Sequence, residues 1–483
     1  MTVSPYLTNL FQDSQELYQL LTRGKQQAIA KDCPQIVSIS QEIPLVDPLA
    51  ILQAIAKPNQ LQFYFEQSTS SAAVVAIESA ISLKILGKNR FNRSQDFIQS
   101  VMANTTCHGQ LNLPFSGPHF FCSFTFFEDK LPLDAPFPSA TIFLPRWQIS
   151  SYKNQSILVA NIEISHQVNI ESILKTIWND LKLINSSHRS LHHLNHSKQN
   201  QLIQQDLQNP DRFKSSVSSA LKLIEANQLR KIVLANAIDV VLPHPFNLVN
   251  SLDNLRQLHP DCYIFSTSNG KGHNFIGASP ERLITIRNHQ LVTDALAGSA
   301  PRGKTATEDA DFADRLLSSE KERREHQFVL DFITERLSQL GLIPQHLSTT
   351  QLLKLSNIQH LWTPIQAQLP IGVHPLEIVE KLHPTPAVAG VPTKIAQAQI
   401  RHYEICDRSL YAAPLGWVDY QGNCEFIVGI RSALIECHHL SPSRAHAYRA
   451  RLYAGAGIVA GSDPNKELAE IQLKLQVLLK ALL

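Results

Sequence analysis

Three groups of residues have types and spacings that invite chemistry. Gly298, four residues, then Gly303, Lys304 and Thr305 reproduce the spacing of a phosphate-cradling loop. A working loop of that kind also needs an acidic residue ending an apolar strand to hold Mg2+, and no convincing one follows. Lys304 and Thr305 instead open a polar helical stretch, "TATEDADFADRLL", so the spacing is read as coincidence. Glu467, Glu470 and Lys474 stand at i, i+3 and i+7, one face of a helix. Taken alone, such a trio is a solvated ion-pair face. Glu325 is the third feature. It lies four residues before Val329, at the head of the stripe Val329, Phe332, Ile333, Leu337 and Leu340. Its local neighbours Lys321, Glu322, Arg323 and Arg324 supply the solvent charges, which leaves Glu325 inward with no local cation. A buried carboxylate is costly unless it meets a cation or a metal. Two inward carboxylates from distant helices make an oxygen-only ligand set that suits Mg2+ bridging to an anionic substrate.

The elements that must position these groups follow from periodicity. "SSEKERREHQFVLDFITERLSQL" and "DPNKELAEIQLKLQVLLKALL" read as long helices, the second with Asp463 as N-cap and Pro464 in its first turn. "FKSSVSSALKLIEANQ" is helical, "LRKIVLANAIDVVL" is a β-branched strand, and "NFIGASPERLITIRNHQLVTDALAG" reads as two strands around a turn. Before residue 180, short runs such as "LQFYFEQ", "AAVVAIES" and "SATIFLP" suggest a largely antiparallel sheet with helices on it. The polar stretch "NSSHRSLHHLNHSKQNQLIQQ" separates the two textures. Its His188, His192, His193 and His196 have no acidic or thiol partners nearby, which favours an exposed linker over a zinc site. The expected division is an N-terminal part over 1–185, a linker over 186–210 and a catalytic region over 211–483.

Composition sets the outer bounds. The chain has 483 residues, 43% of them hydrophobic, enough for one large body or about three domains. A net charge of +2 draws it neither to nucleic acid nor to an anionic membrane, so a small-molecule partner is expected. The seven cysteines are scattered without a Cys-x-x-Cys pair and read as reduced thiols. No signal or transit pattern opens the chain and no run approaches a membrane span, so a cytoplasmic location is expected.

From about Phe213 onward the sequence resembles the chorismate-utilising enzymes: isochorismate, salicylate, anthranilate and aminodeoxychorismate synthases. The motifs are "RKIVLAN", "GASPERL", "LAGSAPRG", "ERREHQFV", "HPTPAVAG", "GIRSA", "YAGAGIVAGSDP" and "ELAEIQLK". The resemblance implies an α+β (α/β) fold of large, mostly antiparallel sheets flanked by helices around a central cleft. It also places Gly298 and Ser299 in a chorismate pocket, against a nucleotide loop. Within the family, Lys231 in the "KIVLA" strand marks water users. Ala297 stands where aminodeoxychorismate synthases carry a nucleophilic lysine, and Ala387 stands where ammonia users favour threonine. All three positions point to water as the nucleophile. Salicylate formers more often carry threonine where Ser299 stands, so the resemblance implies isochorismate synthase, with salicylate synthase as the alternative.

The resemblance implies Lys231 as the base that activates water and Glu281 as the acid that protonates the departing hydroxyl. Lys231 would need to be largely unprotonated, and Glu281 a carboxyl held neutral by a poorly solvated pocket. Glu325 and Glu470 would hold Mg2+, with Glu467 orienting a metal water behind them. Arg431 would grip the enolpyruvyl carboxylate, Lys474 would add positive charge, and Gly455 and Gly457 would bring backbone N–H groups close to the anion beside Tyr453. His383 is expected on the side where the hydroxyl leaves, with a structural histidine as the alternative. Asn236 and Ala295 depart from the family pattern without touching acid, base or metal ligands. Quinone synthesis is the expected destination, and a monomer without a glutaminase subunit the expected assembly.

Overall fold

A computed structural model describes residues 11, 13–129, 134–186, 204–207, 209–242, 244–356, 358–370, 372–436 and 448–482. His188, His192, His193, His196 and Cys437 lie outside these residues.

Two branches of sheet leave one shared strand, Ala140–Tyr152. The first branch runs from it through Ala72–Ile85, Leu61–Gln67, Tyr263–Asn269, His273–Ser279, Ser432–Glu436 and Tyr448–Val459 to Lys231–Leu242. The second runs through His119–Phe124, Pro414–Asp419, Cys424–Val428, Arg282–Arg287 and Gln290–Pro301 to Ile358–Gln368. Every pair in both branches is antiparallel, as expected. Each branch begins with strands from before residue 180 and continues with strands from after residue 230, so the N-terminal part completes the same sheets as the catalytic region. The linker is shorter than its composition suggests: Gln204–Leu207 is a strand paired with Lys231–Leu242, and a helix starts at Pro210.

The "NFIGASPERLITIRNHQLVTDALAG" segment holds three strands, not two. Pro280, which cannot donate to a sheet ladder, stands at the extra break between His273–Ser279 and Arg282–Arg287. This break carries the chain from the first branch to the second. Another crossing lies at residues 429–431, between Cys424–Val428 and Ser432–Glu436. Glu281 and Arg431 occupy these two crossings.

Helices close the cleft. Glu320–Gln339 starts at Ser319, whose hydroxyl caps Glu322 N–H, and turns Val329, Ile333 and Leu337 inward. Each such side chain contributes about 1.5–3 kcal/mol by burial. Pro464–Leu482 starts at Asp463, whose carboxylate accepts from Asn465 and Lys466 N–H at 3.0 Å. The six described cysteines are free. No described helix is long and apolar enough to cross a membrane.

Candidate active site

A cavity of about 180 Å³ lies between the two branches, beside their crossings, and Lys231 and Glu281 both line it. Lys231 is the first residue of its strand and is 1% exposed. Glu281 follows Pro280 at the crossing and is 7% exposed, its N–H bonded to Ser279 Oγ. Burial lifts the Glu281 carboxyl from 4.5 to about 7, against the opposing pull of Lys231 and with a small push from Asp294. A carboxylic acid that keeps its proton near neutral pH is what a proton donor to a leaving hydroxyl requires.

Gly298, Ser299, Ala297, Ala387, Arg431, Tyr453, Gly455, Gly457 and Lys474 line the same cavity, as do Glu322, Glu325, Glu467 and Glu470. His383 does not. It faces a second cavity with Arg90 and Glu128, packs edge-on against Phe126, and is driven well below the usual histidine range by burial. Although only three residues separate His383 from Ala387, the turn closed by Val388 and Ala389 N–H on Thr385 O sends them to different spaces. It therefore stands apart from the cavity of Lys231 and Glu281, which leaves the structural reading of this histidine.

Glu325 has a cation after all. Lys231 Nζ donates to its Oε1 at 2.7 Å, a contact across 94 residues. Lys474 likewise pairs with Glu470 at 2.7 Å and also donates to Gly455 O at 3.0 Å. The two glycines also leave room for neighbouring side chains. A Cβ at Gly457 would stand 3.0 Å from Glu325 Oε1 and 3.5 Å from Lys231 Cε, so the glycine makes room for this ion pair. At Gly455 the neighbour is the Tyr411 hydroxyl, 2.8 Å from where a Cβ would sit.

Arg431, on the other crossing, adopts a φ of +49 and has no carboxylate partner among the described residues. Its Nη2 lies 3.4 Å from His360 Nε2 and its Nη1 3.8 Å from Cys262 Sγ. A guanidinium only donates, so His360 Nε2 must accept and Nδ1 must carry the hydrogen. That hydrogen points to Ser299 Oγ at 2.9 Å. Burial, with Arg431 and Lys474, holds His360 down to about 3, so it stays neutral. Ser299 therefore accepts from His360, and its own hydrogen is free to turn into the cleft. Arg431, Lys474 and Ser299 thus put two cationic groups and a hydroxyl on one wall of the cavity, donors that could meet an anion.

The sequence motif of the nucleotide loop does no such work. Gly303 N–H is held by Asp309 Oδ1 and Lys304 N–H by Glu308 Oε2, while Thr305 caps the helix Ala306–Ser318. The amides that would cradle phosphates are already occupied by carboxylates.

A sequence-family model described as chorismate binding enzyme matches residues 23–483. The chain belongs to this family. It is 32% identical over 471 residues to a salicylate biosynthesis isochorismate synthase of Pseudomonas aeruginosa, covering 94% of this chain and 92% of that protein. It is 29% identical over 455 residues to the isochorismate synthase MenF of Bacillus subtilis, covering 92% and 93%. Among solved structures, the menaquinone-specific isochorismate synthase MenF of Escherichia coli superposes with a TM-score of 0.76 at 25% identity, over 96% of this chain and 100% of that one. The fold is also that of anthranilate synthase component I from Streptococcus pneumoniae, with a TM-score of 0.67 at 19% identity, over 86% and 93%.

The family's expected Mg2+ can be weighed against these residues. Glu322, Glu325, Glu467 and Glu470 line one cavity and offer only oxygen. Glu322 is pushed up by burial and then by Glu325, and Glu467 by burial, partly offset by Ser462, and by Glu470. That crowding of negative charge fits a hard divalent cation. Among the described residues no three His, Cys, Asp or Glu side chains are grouped tightly enough to hold an ion as they stand. Lys231 and Lys474 compensate two of the four carboxylates instead. Glu322 also corrects an expectation. Read as a solvent charge, it faces the cavity, where its Oε2 accepts from Ser299 N–H at 3.2 Å and lies 3.1 Å from where a Gly298 Cβ would be. Its place three residues before Glu325 carried the signal. His360 and Tyr411, which stacks on Tyr453 at 5.2 Å, are single polar residues in strand and loop without any pattern to mark them.

Proposed function

We propose that the chain converts chorismate to isochorismate with Mg2+ as its cofactor. The observation that carries this reading is that Lys231 and Glu281 line one cavity while burial keeps the Glu281 carboxyl protonated up to about 7. Lys231 takes a proton from water as its oxygen adds beside the ring carboxylate. The ring double bonds shift, and the hydroxyl across the ring leaves with the Glu281 proton. Before Lys231 can do this it must give up its contact with Glu325. Arg431, Lys474 and the Ser299 hydroxyl hold the enolpyruvyl carboxylate, which keeps the ring in register with acid and base. Glu325 and Glu470, with Glu467 behind them, would hold Mg2+, which would supply positive charge against the ring carboxylate. Ala297 and Ala387 leave the pocket without the lysine or threonine that would favour nitrogen nucleophiles.

The coverage of the whole E. coli menaquinone-specific chain supports a destination in quinone synthesis. The P. aeruginosa relative, named for salicylate biosynthesis, favours a second reading in which pyruvate is then lost in the same pocket. One assay tests both: chorismate with Mg2+, with and without EDTA, followed by chromatography and a pyruvate measurement. Isochorismate without pyruvate supports the first reading and stoichiometric pyruvate the second. Untouched chorismate refutes both, and turnover that survives EDTA refutes the cofactor.

A further inference from the structure

The Lys231–Leu242 strand and residues 389–391 begin as antiparallel partners, Val391 opposite Lys231 and Gly390 opposite Ile232. Val233 N–H still donates to Ala389 O at 2.8 Å. Beyond that bond the two chains separate, and Val233 on one side and Ala387 and Val388 on the other become walls of the cavity. One side chain spans the fork. Arg408 Nη2 donates to Val233 O and Nη1 to Val388 O, each at 2.8 Å. Its Nε and Nη2 also meet Glu404 Oε2 and Oε1 at 2.9 and 2.6 Å. Glu404 Oε1 accepts in addition from Ala235 N–H at 2.7 Å. The pair is sealed, with side chains 0% and 4% exposed, under a Phe126 ring 4.3 Å from the guanidinium.

Stability alone does not call for this arrangement. Apolar residues of similar volume hold a fold about as well as a buried ion pair, and often better. They cannot, however, tie two carbonyl oxygens to one rigid plane. N–H···O bonds persist to about 3.2 Å, so bonds of this length leave roughly 0.4 Å of slack between the walls. A displacement of about 1 Å at a reacting centre is enough to cost on the order of 10²-fold in rate.

We propose that Arg408 and Glu404 are positioning residues that set the separation between the Lys231 strand and the Ala387 loop, and so hold the base against the substrate ring. Neither touches the cavity. In its kinetic part the inference rests on the reading of the chain as a chorismate isomerase.

Two variants test it. Arg408→Met with Glu404→Gln replaces the ion pair by near-isosteres and keeps an acceptor for Ala235 N–H. Arg408→Lys keeps the charge but cannot bridge both carbonyls. In each, hydrogen exchange over residues 231–235 and 385–391 is expected to quicken by about tenfold or more, while Tyr263–Asn269 keeps its protection. The kcat for chorismate should fall by about tenfold or more with KM within about threefold, because Arg431 and Lys474 sit on other elements. Calorimetry with an unreactive dicarboxylate analogue of chorismate should still count one site per chain, which separates misplacement from lost protein. Unchanged exchange at the fork, unchanged kcat in a folded variant, or full rescue by lysine overturns the proposal. If the double variant does not fold, the lysine variant carries the same measurements. A wild-type protein that ignores chorismate while the variants loosen the fork would sink the isomerase reading and leave the positioning role standing.

Discussion

Glu281→Gln separates the acid's chemistry from its cost to the fold. Glutamine copies the shape of the protonated carboxyl and cannot ionise. Burial, opposed by the Lys231 charge, moves the wild-type group from 4.5 to about 7. At ~1.36 kcal/mol per pH unit, that gap amounts to about 3 kcal/mol. Between the two values the folded chain keeps a proton that the unfolded chain has released. Unfolding free energy therefore falls as pH rises from 4.5, and the loss is complete above about 7. The variant lacks this loss. Denaturant unfolding near about pH 4 should find the two proteins alike, and near about pH 8 the variant should be more stable by about 3 kcal/mol. Its turnover of chorismate should meanwhile drop by about 10²–10⁴-fold. Wild-type kcat/KM should decline on the alkaline side through about 7, where Glu281 gives up its proton. Equal stability at both pH values, or a decline centred at the ordinary carboxylate value, would refute the claim that burial holds this acid protonated.

Lys231→Ala should lower turnover by at least about 10²-fold, whereas Lys304→Ala should leave it within about twofold, measured by chromatography of the products. Arg431→Ala removes a guanidinium from that wall of the cavity and should raise KM by about 10–100-fold, the equivalent of a charged hydrogen bond, with a smaller change in kcat. Gly457→Ala puts a methyl 3.0 Å from Glu325 Oε1 and should cut kcat by about tenfold, with a shift in thermal midpoint of only a few degrees. A midpoint that collapses together with activity would show that Gly457 serves the sheet rather than the ion pair.

How far the site was legible depended on the range of the interaction involved. Glu325, Glu467, Glu470 and Lys474 announced themselves by helical spacing, because side chains three and four apart must share a face. Glu322 obeyed the same rule, but the charged company of Lys321, Arg323 and Arg324 masked it. The break at Pro280 was present as a proline within β-branched runs, yet a continuous strand fitted the alternation as well. His360 and Tyr411 carried no periodic signal, so only their positions in space reveal them.

The amino-acid sequence by itself determined the helices, the strands and the motif residues of this protein, since periodicity, capping and backbone sterics act within a few residues. Tertiary structure alone decided which charge meets which. It set Lys231 on Glu325 and Lys474 on Glu470, left Arg431 without a carboxylate among the described residues, and turned His383 away from Ala387 into another cavity. Those outcomes depend on distances between chains that cross from one sheet branch to the other, and such distances are a property of the closed fold.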